Sequence, residues 1–172
     1  MAIIPDEKDW IWVLSKPCPE CGFDASSVTP ATAATTIPAL LPRWQQALKR
    51  AGVEDRPDDS TWSVLEYAAH VRDVFDVFTG RLELMLSREN PTFPNWDQDQ
   101  AALEGGYPSL DPRQVSADLV QNGEDAAAAF AAVTPEQWGR RGLRSNGSEF
   151  TVLTLSGYFM HDVIHHLNDV SA

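Results

Sequence analysis

The stretch at residues 58–90, "DDSTWSVLEYAAHVRDVFDVFTGRLELMLSREN", decides the fold because it is the clearest helix in the chain. Ser63 and Glu66 have the S-x-x-E spacing of a capping box, and Trp62 and Tyr67 are placed to form a hydrophobic staple around it. Apolar residues then recur at three- and four-residue spacing: Val64, Ala68, Val71, Phe75, Phe78, Leu82 and Met85. The pattern predicts a long helix that must bury one face against other elements.

Three further segments have helical patterns, at residues 31–50, 111–133 and 151–170. Pro38 and Pro42 indicate that the first of these starts or bends near residue 38. Almost no segment alternates apolar and polar residues as a half-buried strand does. The sequence therefore predicts an all-α protein, an antiparallel four-helix bundle of the up-down type.

The N-terminal segment differs from the rest, since residues 1–30 contain four prolines, one glycine and both cysteines. It predicts an irregular arm, anchored on the bundle by "DWIWVL" at residues 9–14. We expect one domain over residues 1–172, with the arm at 1–30 and the helical bundle at 31–172. Two later stretches, "ENPTFPNWDQDQ" and "GRRGLRSNGSEF", are expected to be loops, the second with a tight Asn146-Gly147 turn.

Composition excludes several classes of protein. The apolar fraction of 43%, with six Trp and seven Phe, is enough for a packed core. A net charge of -12 argues against a nucleic-acid partner, which would need a basic face. No run reaches the roughly 18 apolar residues that cross a bilayer, and no secretory signal is apparent. We expect a soluble cytoplasmic protein that acts on a small molecule, without a membrane partner.

Three of the four histidines lie within the segment "YFMHDVIHHLNDV" at residues 158–170. His161 and His165 are four residues apart, so they leave one helix face a turn apart, as paired metal ligands do. His166 points about 100° away from them. The apolar residues of this helix form an arc on the other side, so the face with His161 and His165 is either solvent surface or the lining of a groove.

His70 lies at the flank of the apolar stripe in the 58–90 helix. If this helix neighbours the last one, His70 can join His161 and His165 in a site of three imidazoles. Three protein ligands with one open position are the catalytic arrangement of zinc.

The segments around these histidines resemble the DinB-like superfamily of metal-binding four-helix bundles. The resemblance is carried by "WSVLEYAAHVRDV", "NPTFPNWDQDQ" and "RSNGSEFTVLTLSGYFMHDVIHHLNDV", with "PCPECGFDASSV" near the N-terminus. It is strongest to an actinobacterial branch related to mycothiol-dependent maleylpyruvate isomerases and other thiol S-transferases. It covers most of the chain and implies the bundle fold.

The resemblance implies that His70, His161 and His165 bind one divalent metal. In the mycothiol-dependent isomerase the first member of the last-helix pair is Glu, where this chain has His161. Zinc is the favoured ion, although imidazole also suits nickel, iron and copper. Mycothiol is implied as a cosubstrate.

A divalent ion on neutral imidazoles can lower the pKa of bound water or deprotonate a thiol. The first hypothesis is therefore a metal-dependent enzyme that transfers a low-molecular-weight thiol to an electrophile, or a related hydrolase. The alternative is a non-catalytic metal- or ligand-binding protein of a stress response. A homodimer with a vestigial metal site is a third hypothesis.

Further candidates are polar residues close in sequence to the histidines. Possible helpers at the site are Asp73, Tyr158, Asp162 and Asp169. An anionic substrate would be met by Arg140, Arg141 or Arg144. Trp96, in the long loop, would form a wall of the pocket or pack on the bundle.

Cys18 and Cys21 form a "CPECG" motif that resembles one knuckle of a zinc ribbon, but no second cysteine pair follows. Three interpretations remain. The thiols are reduced bystanders, or a redox couple or strained disulfide, or they bind a metal with His166 or another subunit completing the site.

Overall fold

The structure is a computed structural model that describes residues 10–172, so residues 1–9 of the predicted arm lie outside the described part. The helices are α1 (Pro30–Ala47), α2 (Val64–Ser87), α3 (Gln98–Glu104), α4 (Pro112–Ala131) and α5 (Val152–Asp169). The strands are β1 (Thr92–Phe93), β2 (Arg141–Arg144) and β3 (Glu149–Thr151). Short 3-10 helices lie at Trp10–Leu14, Ala25–Ser27, Tyr107–Ser109 and Pro135–Gln137. The predicted fold class, a helical bundle of four principal helices, is confirmed.

Helix α2 begins as its sequence predicts. The Ser63 hydroxyl accepts the backbone N–H of Glu66 at 3.2 Å, and the Glu66 carboxylate accepts the backbone N–H of Ser63 at 2.9 Å. The rings of Trp62 and Tyr67 pack edge to face with centroids 5.5 Å apart, which forms the staple. These contacts fix where α2 starts and how the preceding chain enters it.

Glu66 also binds the loop between α1 and α2. Its side chain is 1% exposed, and Arg56 donates to both carboxylate oxygens, with Nε at 2.8 Å from Oε2. Burial alone would raise the pKa of Glu66, but the hydrogen bonds from Arg56 and from the Ser63 backbone lower it below its ordinary value. An ionised carboxylate therefore joins the loop to the first turn of α2.

The four long helices pack in the order α1, α4, α2, α5 around the bundle. Helix α2 packs mainly on α4 and α5, and α1 packs on the same two helices. A simple up-down order would instead make α1 and α2 neighbours. The chain of residues 48–63 is long enough to cross the bundle end, which permits the diagonal placement. As a result α2 and α5 are neighbours, as the predicted site requires.

Helix α1 continues through both of its prolines. It starts at Pro30, where Thr29 provides a capping box, rather than near residue 38. Pro38 and Pro42 are both exposed, so the carbonyl groups that lose a helical N–H partner face water. The prolines are tolerated because they share the solvent side of the helix.

No helix within residues 10–172 has the length and apolar character to cross a membrane.

A small sheet occupies part of the two segments expected to be loops. β1 pairs in parallel with β2, and β2 pairs antiparallel with β3. Gly147, with φ of 95°, makes the turn between β2 and β3 at the predicted Asn146-Gly147 position. Strands of two to four residues are too short to show an alternating pattern, so the sequence did not reveal them.

The N-terminal arm packs on α5 through its 3-10 helices at residues 10–14 and 25–27. The approach is close at Gly157 of α5. A Cβ built there would lie 2.9 Å from the carbonyl oxygen of Ala25 and 3.1 Å from the Ala25 Cβ. A residue without a side chain is needed for the arm to reach this helix.

We predict that Glu66→Gln lowers the free energy of unfolding at pH 7 by about 1–2 kcal/mol. Glutamine can keep the capping box, so the loss reports the ionic contact with Arg56. Because the folded-state pKa of Glu66 is lowered, its stabilisation is present above the ordinary value of 4.5 and is lost as the pH falls through the folded-state value. Urea unfolding from pH 7 to pH 3 measures the difference. Glu83→Gln, exposed on the same helix, is the control and should change stability by less than about 0.5 kcal/mol. Equal losses in both variants would contradict the assignment.

Two glycine substitutions in helices should have opposite effects. Gly157→Ala should destabilise the protein by about 1–3 kcal/mol because its Cβ meets the arm backbone. Gly80→Ala, at an exposed position of α2 with open space around it, should stabilise by about 0.5–1 kcal/mol. Urea unfolding measures both, and a stabilising Gly157→Ala would show that the arm does not pack on α5 in solution.

Candidate metal centre

Helices α2 and α5 bring together His70, Asp162 and His166. Nε2 of His70 lies 3.1 Å from Oδ1 of Asp162, and Nε2 of His166 lies 3.4 Å from the same oxygen. The two imidazole rings are nearly perpendicular, with centroids 4.8 Å apart. One ligand atom from each residue lies within 4.8 Å of the other two, which is close enough for all three to bind one ion. We call this group the α2–α5 centre.

The protonation states at this centre suit metal binding. Burial would raise the pKa of Asp162, but the charge and hydrogen bond of His70 and the charge of His166 lower it to about 2. Burial lowers the pKa of His70 below its ordinary value, and this effect outweighs the opposing attraction of Asp162. At neutral pH the carboxylate is therefore ionised and His70 is neutral, the forms in which both bind metals.

The contacts around His166 test whether the residues of this centre suit a metal ion. Its Nδ1 lies 2.8 Å from Oδ2 of Asp169, and since a carboxylate only accepts, Nδ1 is the protonated nitrogen. Nε2 of the same ring lies 3.4 Å from Oδ1 of Asp162, the oxygen that Nε2 of His70 also approaches. The donor set of two imidazoles and one carboxylate fits a divalent metal.

Aromatic rings enclose the centre. Trp96 stacks on His70 with centroids 5.3 Å apart and ring planes at 15°, and Trp62 contacts the same ring at 5.3 Å. Tyr67 lies 5.0 Å from His166. These rings hold the imidazoles in position and keep water from most of their surface.

A second group forms where the arm meets α5. Its members are Cys18, Cys21, His161 and His165, whose ligand atoms also lie within 4.8 Å of one another. We call this the arm–α5 group. His161 and His165 are 4% and 6% exposed, and Trp10 covers them at centroid distances of 5.5 and 5.1 Å. The polar face of α5 is therefore not solvent surface: the arm covers part of it, and His161 and His165 also line a cleft.

The three histidines predicted as one ligand set lie in two different groups in the structure, which does not bring them together. His70 lies with Asp162 and His166, whereas His161 and His165 lie with the cysteines. Adjacent residues of a helix point about 100° apart, so a pair shifted by one residue faces a different neighbour. Asp162 and His166 have the same four-residue spacing as His161 and His165, so spacing alone does not distinguish the two pairs.

Of the other predicted helpers, Asp73 lies outside both ligand groups, whereas Asp169 contacts the histidines. Asp73 accepts a hydrogen bond from the Tyr107 hydroxyl and one from Arg72 Nε at 2.7 Å, and it belongs to neither group of ligands. Asp169 does contact the histidines, at 2.8 Å from His166 Nδ1 and 3.7 Å from His165 Nε2. Of these two carboxylates, only Asp169 is placed to orient an imidazole.

Two of the three arginines expected to meet an anionic substrate, Arg140 and Arg144, contact protein groups, whereas Arg141 is exposed. Arg140 donates to the carbonyl oxygens of Met85 and Arg88, both at 2.6 Å, and so binds the C-terminal end of α2. Arg144 is 7% exposed and donates to the Tyr158 hydroxyl at 3.3 Å. Tyr158 in turn lines a cleft beside the α2–α5 centre, so Arg144 reaches the cleft through this hydroxyl.

This cleft has a volume of about 330 Å³ and lies between the two groups. Its aromatic lining residues are Trp10, Trp62, Tyr67 and Tyr158. Its acidic lining residues are Glu20, Asp99, Asp162 and Asp169. Within residues 10–172, no lysine or arginine lines it. The arrangement can hold a small molecule with apolar faces and hydrogen-bond donors beside a metal ion.

Known proteins share the fold of this chain. The chain is similar to the structure of YfiT from Bacillus subtilis, described as a probable metal-dependent hydrolase with an unusual four-helix bundle topology. The TM-score is 0.67 at 18% sequence identity, covering 98% of this chain and 91% of YfiT, which establishes the likeness of fold. No curated protein sequence matches significantly. A family model described as the DinB superfamily matches residues 31–170, the whole bundle, and the chain therefore belongs to the DinB superfamily.

Proposed function

We propose that the protein is a metal-dependent enzyme whose α2–α5 centre activates a small thiol for transfer to an electrophile. The observation that carries this proposal is the convergence of His70 Nε2, His166 Nε2 and Asp162 Oδ1 beside an open cleft. Three protein ligands leave a position for substrate, as in catalytic rather than structural zinc sites. Zinc is the favoured ion.

A divalent ion held there favours the deprotonated form of a thiol or of water at neutral pH. The surrounding side chains keep the ligands in the forms that bind the ion. Asp169 holds His166 in the tautomer whose Nε2 can bind the ion, and burial keeps His70 neutral for the same task. Trp96 and Trp62 exclude water around His70.

The character of the cleft supports a thiol that carries many hydroxyl groups. Aromatic rings pack on the apolar faces of sugar-like rings, and carboxylates such as Glu20 and Asp99 accept hydrogen bonds from hydroxyls. An anionic electrophile is disfavoured because the lining is acidic. The mycothiol-type thiol implied by the resemblance fits this cleft better than a dicarboxylate substrate does.

The carboxylate ligand gives further support. In the mycothiol-dependent isomerase the first member of the last-helix pair is Glu, and Asp162 supplies a carboxylate at that place once the pair is taken as Asp162 and His166. Hydrolysis is the related reaction of the same centre, with water in place of the thiol. The likeness to YfiT, described as a probable metal-dependent hydrolase, favours including it in the test.

The test uses protein purified without a histidine tag. We expect conjugation of a bimane electrophile to mycothiol to be abolished by chelator and restored by zinc, with glutathione and free cysteine as poorer thiols. Asp162→Asn and His166→Ala should lower kcat/KM by about 100-fold or more, because each removes a ligand.

Asp73→Asn is the matched control. It changes an acid on the helix of His70 that bonds Tyr107 and belongs to neither ligand group, so kcat/KM should stay within a few-fold of wild type. If the centre binds metal and yet neither thiol transfer nor ester hydrolysis occurs across a broad panel, the protein is a binding module and the enzyme proposal fails.

A further inference from the structure

The proposed function leaves the arm–α5 group unused. Cys18 is 1% exposed and Cys21 is partly buried, although the two thiols lie on an irregular arm. Both lie beside His161 and His165 of α5, and the ligand atoms of all four residues are within 4.8 Å of one another. Two cysteines and two histidines with this spread are the ligands of a tetrahedral zinc site.

The chain around the cysteines forms a tight turn. Gly22 has φ of 74°, its N–H donates to the Cys18 carbonyl at 2.8 Å, and the Cys18 N–H donates to the Phe23 carbonyl at 2.8 Å. Turns of this kind bring two cysteine sulfurs to one point, where a single metal ion can bind both.

The histidines are oriented as ligands. Nδ1 of His165 lies 3.7 Å from the Cys18 sulfur, while its Nε2 lies 3.5 Å from a carboxylate oxygen of Glu20 and 3.7 Å from one of Asp169. A carboxylate on this side can accept a hydrogen bond from Nε2–H, and the Nδ1 lone pair then faces the sulfur.

His161 provides an independent observation. Its Nε2 is buried and has no hydrogen-bond partner within residues 10–172. Leaving a buried imidazole nitrogen without a partner costs free energy. A metal ion beside the cysteine sulfurs would satisfy this nitrogen.

We propose that Cys18, Cys21, His161 and His165 form a second metal site, a structural zinc site that fastens the N-terminal arm to α5. Binding of Zn²⁺ displaces one proton from each thiol and leaves both imidazoles neutral, so no oxidant or reductant is required. Sulfur and imidazole ligands select zinc over magnesium and calcium. Four protein ligands close the coordination shell, so the site is structural, unlike the α2–α5 centre.

The site has a consequence for the cleft, because the arm forms part of its wall. Trp10 contacts both His161 and His165, and Trp10 and Glu20 line the cleft. An arm fastened by zinc keeps these two residues beside the α2–α5 centre. Release of the arm would open that side of the cleft to solvent.

The test measures metal content and cobalt spectra on the full chain purified without a tag. We expect two zinc ions per chain in wild type, and one in Cys18→Ser, Cys21→Ser and His70→Ala. Cys21→His, which supplies another zinc ligand, should keep two. Cobalt-substituted wild type and His70→Ala should show a thiolate-to-cobalt charge-transfer band that both serine variants lack.

The outcomes separate this site from the proposed function. If the α2–α5 centre binds no zinc but the arm–α5 site does, wild type and His70→Ala each hold one ion, and the serine variants hold none. The zinc site is overturned if both thiols react with a thiol reagent before chelator is added, if the purified protein has a Cys18–Cys21 disulfide, or if Cys21→Ser keeps the wild-type zinc content and cobalt band. Circular dichroism of Cys21→Ser, whose thiol is only partly buried, checks that the bundle stays folded.

Discussion

The rotation of about 100° between adjacent helix residues is the constraint on which both ligand groups depend. On α5 it directs Asp162 and His166 towards α2, and it directs His161 and His165 towards the arm. These four side chains contact two different neighbours within about one and a half turns of helix. The position of α5 between α2 and the arm is therefore what allows one short segment to contribute to two groups.

The other half of the α2–α5 centre depends on how α2 is fixed. Ser63 and Glu66 cap its first turn, and Arg56 ties the preceding loop to the same carboxylate. His70 lies one turn further along and is fully buried, so its ring direction follows from the position of α2. The diagonal order of the helices then brings α2 beside α5. Local capping and global topology together determine that His70 meets Asp162.

The sequence predicted α2, α4 and α5 well because caps and periodic apolar residues are local signals. It also predicted candidate metal ligands on α2 and α5. It could not assign ligands to sites, because spacing of four residues is shared by the 161/165 and 162/166 pairs, and only the neighbours distinguish them. The burial of His161 was hidden for a similar reason, since the covering element is an irregular arm with no periodic pattern.

The contact between Cys18 and His165 joins residues 147 positions apart. On a translating ribosome at roughly 5–20 residues per second, the cysteines leave the tunnel about seven to thirty seconds before their histidine neighbours. During that interval the nascent chain carries two adjacent, uncovered thiols. Until α5 emerges and packs, the protection of these thiols rests with the reducing power of the surroundings rather than with the protein itself.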